Sequence, residues 1–238
     1  MIAAFGMHVI SDPVQPRAMS LDIMVAADRQ GTGLFGELAG RAIAEAQDRG
    51  AQLVSVVANA RAARAFERHM AWTNWSTLSD WTVASADVPE VQVRELRSAP
   101  TTPLTGPAHT FYPRTPATLH WRTGLNRRYT YTWLESGPPG RPTGWAAVKV
   151  FRDPVNGDGY GDIVGLFTTE SVAEPLQAAL GWFRSKGVAV AAIYPAGASE
   201  SEAAQQLGFK PSERFRYFCG STVDRPELNI GMLDVDVY

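Results

Sequence analysis

The segment Gln30-Gly31-Thr32-Gly33-Leu34-Phe35 has the residue types and spacing that point most directly to chemistry. Gly31 and Gly33 fall between a strand-like run that ends at Val25 and a helix-like run that starts at Leu34. Unpaired backbone N–H groups and the positive end of a helix dipole meet at such a junction, which makes it an anion site suited to phosphate. A side chain at either glycine would hold a phosphate away from the amides, and such loops visit backbone angles that other residues avoid.

Two phosphate-binding readings compete. Gly31-Thr32-Gly33-Leu34-Phe35-Gly36 satisfies the Gly-x-Gly-x-x-Gly pattern of Rossmann-type NAD(P) oxidoreductases. That fold needs a tight turn straight out of the strand and an acidic ribose ligand about 20 positions on. Here the five residues Ala26 to Gln30 separate Val25 from Gly31, and the next strand ends in Val57-Ala58-Asn59, with no carboxylate. Two antiparallel-looking strands also precede the loop, where a nucleotide fold opens with its first strand.

The elements that position the loop follow from periodicity. Strands are expected over Ile2 to Ile10, Ala18 to Val25 and Leu53 to Val57. Leu34, Phe35, Leu38, Ala42, Ile43 and Ala46 recur at three- and four-residue spacing, which predicts a helix from Leu34 to Arg49 capped by Gly50. A second helix is expected from Ala60 to Met70. Five prolines between Pro100 and Pro116 break regular structure and mark a linker over 98–117, between domains at 1–97 and 118–238. Beyond it, strands are expected over Arg128 to Leu134, Gly144 to Phe151 and Asp162 to Phe167, and a helix over Val172 to Ser185.

The two halves echo each other. Gly50 to Trp72 and Gly187 to Phe209 span the same 22 positions, with Leu53 matching Val190, Val56 matching Ile193 and Met70 matching Leu207. Upstream, the second half is three residues shorter between Asp162 and Gly187 than the first is between Asp22 and Gly50. The shortfall falls at Phe167-Thr168-Thr169-Glu170-Ser171, which holds no glycine, so an internal duplication would leave an anion cradle only in the first half. The alternative is that any two αβα segments share such patterns.

Val25 to Phe35 resembles the acetyl-CoA signature of the GNAT acyltransferases, in which Arg or Gln is followed by x-x-Gly-x-Gly/Ala after a strand ending in Val. Gln30 takes the Arg/Gln position, Gly33 the key glycine, and Phe35 replaces the last small residue. Asn59 and the helix up to Met70-Ala71-Trp72 resemble the next motif, Asn followed by a helix and Leu-Gly-Phe/Trp. Leu207-Gly208-Phe209 repeats its end. The resemblance covers residues 1 to 85 and implies a mixed, largely antiparallel α/β (α+β) sheet flanked by helices, duplicated as two GNAT-like halves. It also implies an N-acetyltransferase-like enzyme that uses acetyl-CoA or another acyl-CoA, without metal, on a small-molecule or peptide amine. Backbone groups of Ile23, Met24 and Val25 would hold the pantetheine arm. The loop Gln30, Gly31, Thr32, Gly33, Leu34, Phe35 would hold the pyrophosphate, with Asn59 beside the coenzyme.

Acyl transfer to an amine needs a base, a donor to the thioester oxygen and an acid for the thiolate. Asp22, a carboxylate in an apolar strand beside the expected thioester, is the base candidate; the competing reading is a strand residue satisfied by hydrogen bonds or water. His8 is a second choice, and a structural histidine is the alternative there. The family's Tyr acid has no counterpart, since Glu67 stands at its position. The family also carries a strand and two helices ahead of the hairpin that here begins near Met1. That leaves three options: a longer natural start, an acceptor groove completed by the second half, or a non-catalytic acyl-CoA-binding or scaffold protein.

Composition excludes other classes. With 22 Lys plus Arg against 24 Asp plus Glu the net charge is -2, so no basic field draws in nucleic acid. His8, His69, His109 and His120 are scattered and Cys219 is the single cysteine, so no metal-ligand spacing arises. One cysteine fits a reducing compartment, and with no signal peptide or apolar run of membrane-spanning length the cytoplasm is expected.

Overall fold

The computed structural model describes residues 3–10, 16–85, 93–101, 110, 112–125, 129–152, 157–168, 170–222, 228 and 230–235. Along the chain run β1 (Ala3–Ile10), β2 (Arg17–Val25), α1 (Leu34–Asp48), β3 (Leu53–Ala58), α2 (Ala60–Met70), β4 (Thr73–Ala84), β5 (Arg94–Leu96) and α3 (Pro116–Leu119). There follow β6 (Tyr131–Ser136), β7 (Gly144–Arg152), β8 (Gly159–Thr168), α4 (Ala173–Ser185), β9 (Val190–Ile193), α5 (Ala198–Gln206), β10 (Lys210–Gly220) and α6 (Met232–Val235). They group into two compact units, Met1–Leu78 with Arg214–Pro226, and Ser79–Glu213 with Glu227–Tyr238. Each is α/β with a largely antiparallel sheet, the expected class. Most of the Pro-rich segment lies outside the described residues. No helix among those described is long and apolar enough to cross a membrane.

In the first unit the strand order is β1-β2-β3-β10-β4. β1 and β2 form an antiparallel pair, and α1 carries the chain across so that β3 returns parallel to β2. α1 buries Ala39, Ile43 and Ala46, of which the two alanines admit close approach to the sheet. Gly50, at φ 92°, ends it as a left-handed cap. α2 buries Ala63 and Phe66. Phe66 is the hub of this core: Trp72 stacks on it at 4.5 Å, and Phe35 and Phe5 meet it edge-on at 5.3 and 6.4 Å.

In the second unit the order is β4-β9-β8-β7-β6-β5. β7 and β8 are antiparallel, α4 crosses over, and β9 lies parallel to β8. One face of the sheet packs Leu176, Leu180 and Phe183 of α4. The other packs Trp133, Trp145 and Phe167 against Leu119 and Leu233. Trp72, Trp133, Trp145 and Trp182 are buried, whereas Trp75, Trp81 and Trp121 are partly exposed.

One order of elements therefore occurs twice: an antiparallel pair, a helix, a parallel strand, a helix and a strand. The helix before the last strand ends in a left-handed residue each time, Gly208 at φ 84° and Ala71 at φ 53°. Ala71 is the sole described non-glycine with positive φ, and its Cβ crowds the carbonyl there. Ala71→Gly is expected to raise unfolding stability by about 1 kcal/mol in urea titration, since the relief of left-handed strain outweighs the added entropy of the unfolded chain.

Candidate functional site

The site begins where β2 leaves its neighbours. Against β1 the register passes from Gly6↔Leu21 to Ala4↔Met24, so two residues, Asp22 and Ile23, stand opposite Phe5 in a bulge. Against β3 the parallel ladder covers Arg17–Ser20 and, among the described residues, goes no further. β3 itself continues to Ala58, where its other edge pairs with β10. The final residues of β2 thus part from β3, which leaves strand backbone groups available to an extended ligand. Ser20, the last residue of the ladder, keeps a buried hydroxyl without a hydrogen-bond partner among the described residues. The side chains of Asp22 and Ile23 lie outside the described set; Met24 is exposed.

After Val25 the chain makes a 3-10 turn over Ala27–Arg29, extends at Gln30 (φ −69°, ψ 143°) and turns left-handed at Gly31 (φ 80°) and Gly33 (φ 84°). A Cβ at either glycine would meet nothing within 4 Å, so conformation and not space demands glycine. Gly33 is the N-cap of α1 and offers no side-chain acceptor. The first helical bond runs from Glu37 N to Gly33 O at 3.2 Å, so the amides of Leu34, Phe35 and Gly36 have no intrahelical acceptor. Such N–H groups, with the dipole behind them, have the chemistry to accept an anion.

Side chains brace the loop from beneath. Gln30 Nε2 donates to Val25 O at 3.3 Å and Thr32 Oγ1 donates to Arg29 O at 2.7 Å. Phe35 turns into the core against Phe66 and His69, so it contributes only its amide to the cradle. Asn59 Oδ1 accepts from Ala62 N at 2.9 Å as the N-cap of α2. Arg61, which the sequence reading passed over, donates to Gln30 Oε1. Its signal was its place in the first turn of the helix that Asn59 opens.

Two further acid–base candidates lie on neighbouring elements. Glu67 is exposed on α2, and His8 sits in β1 opposite Met19. Cys219 is buried in the core of the first unit; burial, followed by the charge of Glu67, pushes its thiol up to about 11. It is therefore protonated at neutral pH and no nucleophile.

At the matching place in the second unit the chain's own groups fill the site. α4 begins without glycine and carries Glu174 and Pro175 in its first turn. A carboxylate thus occupies the dipole end, and Glu174 accepts from Thr143 Oγ1 at 2.5 Å. Among the described residues β8 and β9 pair from Tyr160↔Val190 to Ile163↔Ile193 and no further. The gap beyond, between residues 163–167 and 193–196, is closed by Arg114, Gly231 and Met232, leaving a cavity of about 10 Å³. That is near the lower limit for one water. Asp234 anchors the closing segment: it is fully buried and accepts from Tyr112 N, Gly231 N and Arg114 at 2.7–3.0 Å.

Glu200 borders this cavity and accepts from Ala196 N at 2.7 Å. Burial pushes its carboxyl up to about 7, helped by the charge of Asp234 and opposed by the Ala196 bond and the Arg114 guanidinium. The folded state therefore holds this proton more tightly than the unfolded chain does. The resulting stability is complete below about pH 4.5 and is lost as pH rises through about 7. Glu200→Gln is expected to remove this loss, on the order of 3 kcal/mol, which urea titrations between pH 5 and 8 would measure.

No family model matches the chain and no curated protein matches it in sequence. Its fold is similar to that of a GCN5-related N-acetyltransferase from Anabaena variabilis ATCC 29413, at 12% identity and TM-score 0.57 over 87% of this chain and 55% of that one. A putative acetyltransferase from Pyrococcus horikoshii aligns at 11% identity and TM-score 0.59 over 91% and 69%. A tandem GNAT protein from the clavulanic acid biosynthesis pathway aligns at 15% identity and TM-score 0.53 over 95% and 85%. The chain spans only about half the length of the Anabaena protein. At these identities the likeness speaks for the fold, which is that of the GNAT acyltransferases.

Proposed function

We propose that the chain is an acyl-CoA-dependent acyltransferase whose coenzyme lies along the end of β2 and over the first turn of α1. The observation that carries this reading is the continuity of two unpaired backbone surfaces in one GNAT-like fold. The strand that leaves its ladder after Ser20 leads, through the turn Ala27–Arg29, into a loop whose helix amides are bare. The first would pair with the amide-bearing pantetheine arm and the second with the pyrophosphate. Ile23, Met24 and Val25 serve the arm; Gln30, Gly31, Thr32, Gly33, Leu34 and Phe35 serve the phosphates. Asn59 contributes by setting the start of α2 beside them.

In the reaction the acceptor amine, once deprotonated, attacks the thioester carbonyl carbon. The carbonyl oxygen gains negative charge, which a strand N–H of β2 stabilises, and as the C–S bond breaks to release coenzyme A as thiolate the attacking nitrogen passes its surplus proton through water to that thiolate. Asp22 is proposed as the base that takes the ammonium proton, since the bulge places it on the stretch of β2 that parts from β3. The thiolate is a stable leaving group that water can protonate, so the lack of a tyrosine at Glu67 slows rather than forbids transfer. The acceptor is a small-molecule or peptide amine. The twofold element order supports a tandem origin, with the coenzyme loop kept in the first half alone.

A second reading, an acyl-CoA-binding protein without catalysis, is favoured by the exposed Glu67 in the tyrosine's place. A thermal shift series with coenzyme A, acetyl-CoA and NAD(P) tests the shared premise. Coenzyme A at about 100 times its dissociation constant should add ~2.7 kcal/mol of stability, whereas stabilisation by NAD(P) alone would sink both readings in favour of an oxidoreductase. For catalysis, free thiol should appear from acetyl-CoA across an amine panel, and Asp22→Asn should slow its release about 100-fold. Coenzyme binding without thiol release from any amine would leave the non-catalytic protein.

A further inference from the structure

The exposed arginines near the loop differ in how their charge is met. Arg41 and Arg49 on α1 pair with Glu37 and Glu45 one turn back, at 2.8 and 2.7 Å. Arg29 stands 3.5 Å from Asp28. Arg61, among the described residues, has only the neutral carboxamide of Gln30 as a partner. That bond fixes the guanidinium at the flank of the cradle and leaves its charge and its other N–H groups uncompensated. Arg64 and Arg68 follow at i+3 and i+7 on the exposed side of α2, where Glu67 is the one carboxylate of the helix, so three guanidiniums outnumber it.

We infer that Arg61 is a second phosphate subsite, which reads the 3′-phosphate of coenzyme A and makes the chain select the complete coenzyme over 3′-dephospho-coenzyme A. This inference rests on the acyl-CoA reading above. Coenzyme A carries two separate anionic groups, a bridging pyrophosphate and a ribose monoester. The bare amides of α1 suit the first. The monoester, closer to a dianion, suits a guanidinium fork on a neighbouring helix at the solvent rim. The relay from Val25 O through Gln30 to Arg61 keeps that fork at a fixed place beside the cradle.

Titration calorimetry with coenzyme A and 3′-dephospho-coenzyme A, on the natural chain, Arg61→Gln and Arg61→Lys, tests this. The natural chain should bind coenzyme A about tenfold more tightly than the dephospho form, the size of one charge-assisted contact. Arg61→Gln should bring coenzyme A down to the dephospho affinity while leaving dephospho-coenzyme A unchanged. Arg61→Lys should keep part of the preference, and both variants should melt with the natural chain because Arg61 is exposed. Equal affinity of the natural chain for the two ligands would overturn the inference. So would a preference that survives in Arg61→Gln, or an equal loss for both ligands, which would mean that Arg61 only shapes the loop through Gln30. Failure of the natural chain to bind either ligand would instead overturn the acyl-CoA reading itself, and this inference with it.

Discussion

The candidate site depends on hydrogen bonds that the backbone leaves unmade. A buried strand ordinarily satisfies both edges, and a helix start ordinarily finds a capping side chain. β2 departs from the first rule after Ser20, and α1 from the second at Gly33, only a few residues further along the chain. At the second departure the loop residues Gly31–Gly33 are exposed, and unmade hydrogen bonds cost little at a surface. Together they lay out a track whose first part suits amides and whose second suits phosphate. The bulge at Asp22 and Ile23 follows from the same parting, because the extra residue bends β2 while β1 still pairs with its end.

Holding those groups in place falls to apolar packing beneath them. Phe35 is the second residue of α1 and its ring rests on Phe66, which also carries Trp72 and Phe5. The helix start, the end of α2 and the first strand therefore share one aromatic hub. Aromatic contacts of this kind contribute about 0.5–1.5 kcal/mol beyond the area they bury. A phenylalanine where the signature has a small residue is thus accommodated in the core beneath the helix start.

Local signals in the sequence were a good guide to the elements around the loop. α1, α2 and β3 lie within a residue or two of their expected limits, because an apolar stripe, a glycine cap and an asparagine cap each act over a few residues. β4 and β10 carry no such signal. Their pairing is long-range, Tyr217–Gly220 with β3 and Trp81–Ala84 with β9, and the exposed, charged first half of β10 hides any alternation. The contacts of Arg61 and Glu200 were hard to read for the same reason, although Arg61 stands in the first turn of the helix that Asn59 opens. One depends on a carboxamide on another element, the other on burial beside a closing segment from the far end of the chain.

The contrast between the halves has a physical cause beyond the missing glycines. A parallel pair whose strands diverge opens a gap in either unit, and polar backbone in that gap has to be satisfied by something. In the second unit the protein supplies it internally. Glu174 lies at the helix dipole, and the segment around Gly231 and Met232 fills the opening between β8 and β9, fixed by the buried Asp234. Once a charged anchor is buried with three hydrogen bonds its removal is costly, since each partner would be left unpaired. The gap is then committed to structure. In the first unit the loop at Gly31 and Gly33 brings no carboxylate to the helix start, so the amides of Leu34, Phe35 and Gly36 keep no internal acceptor there.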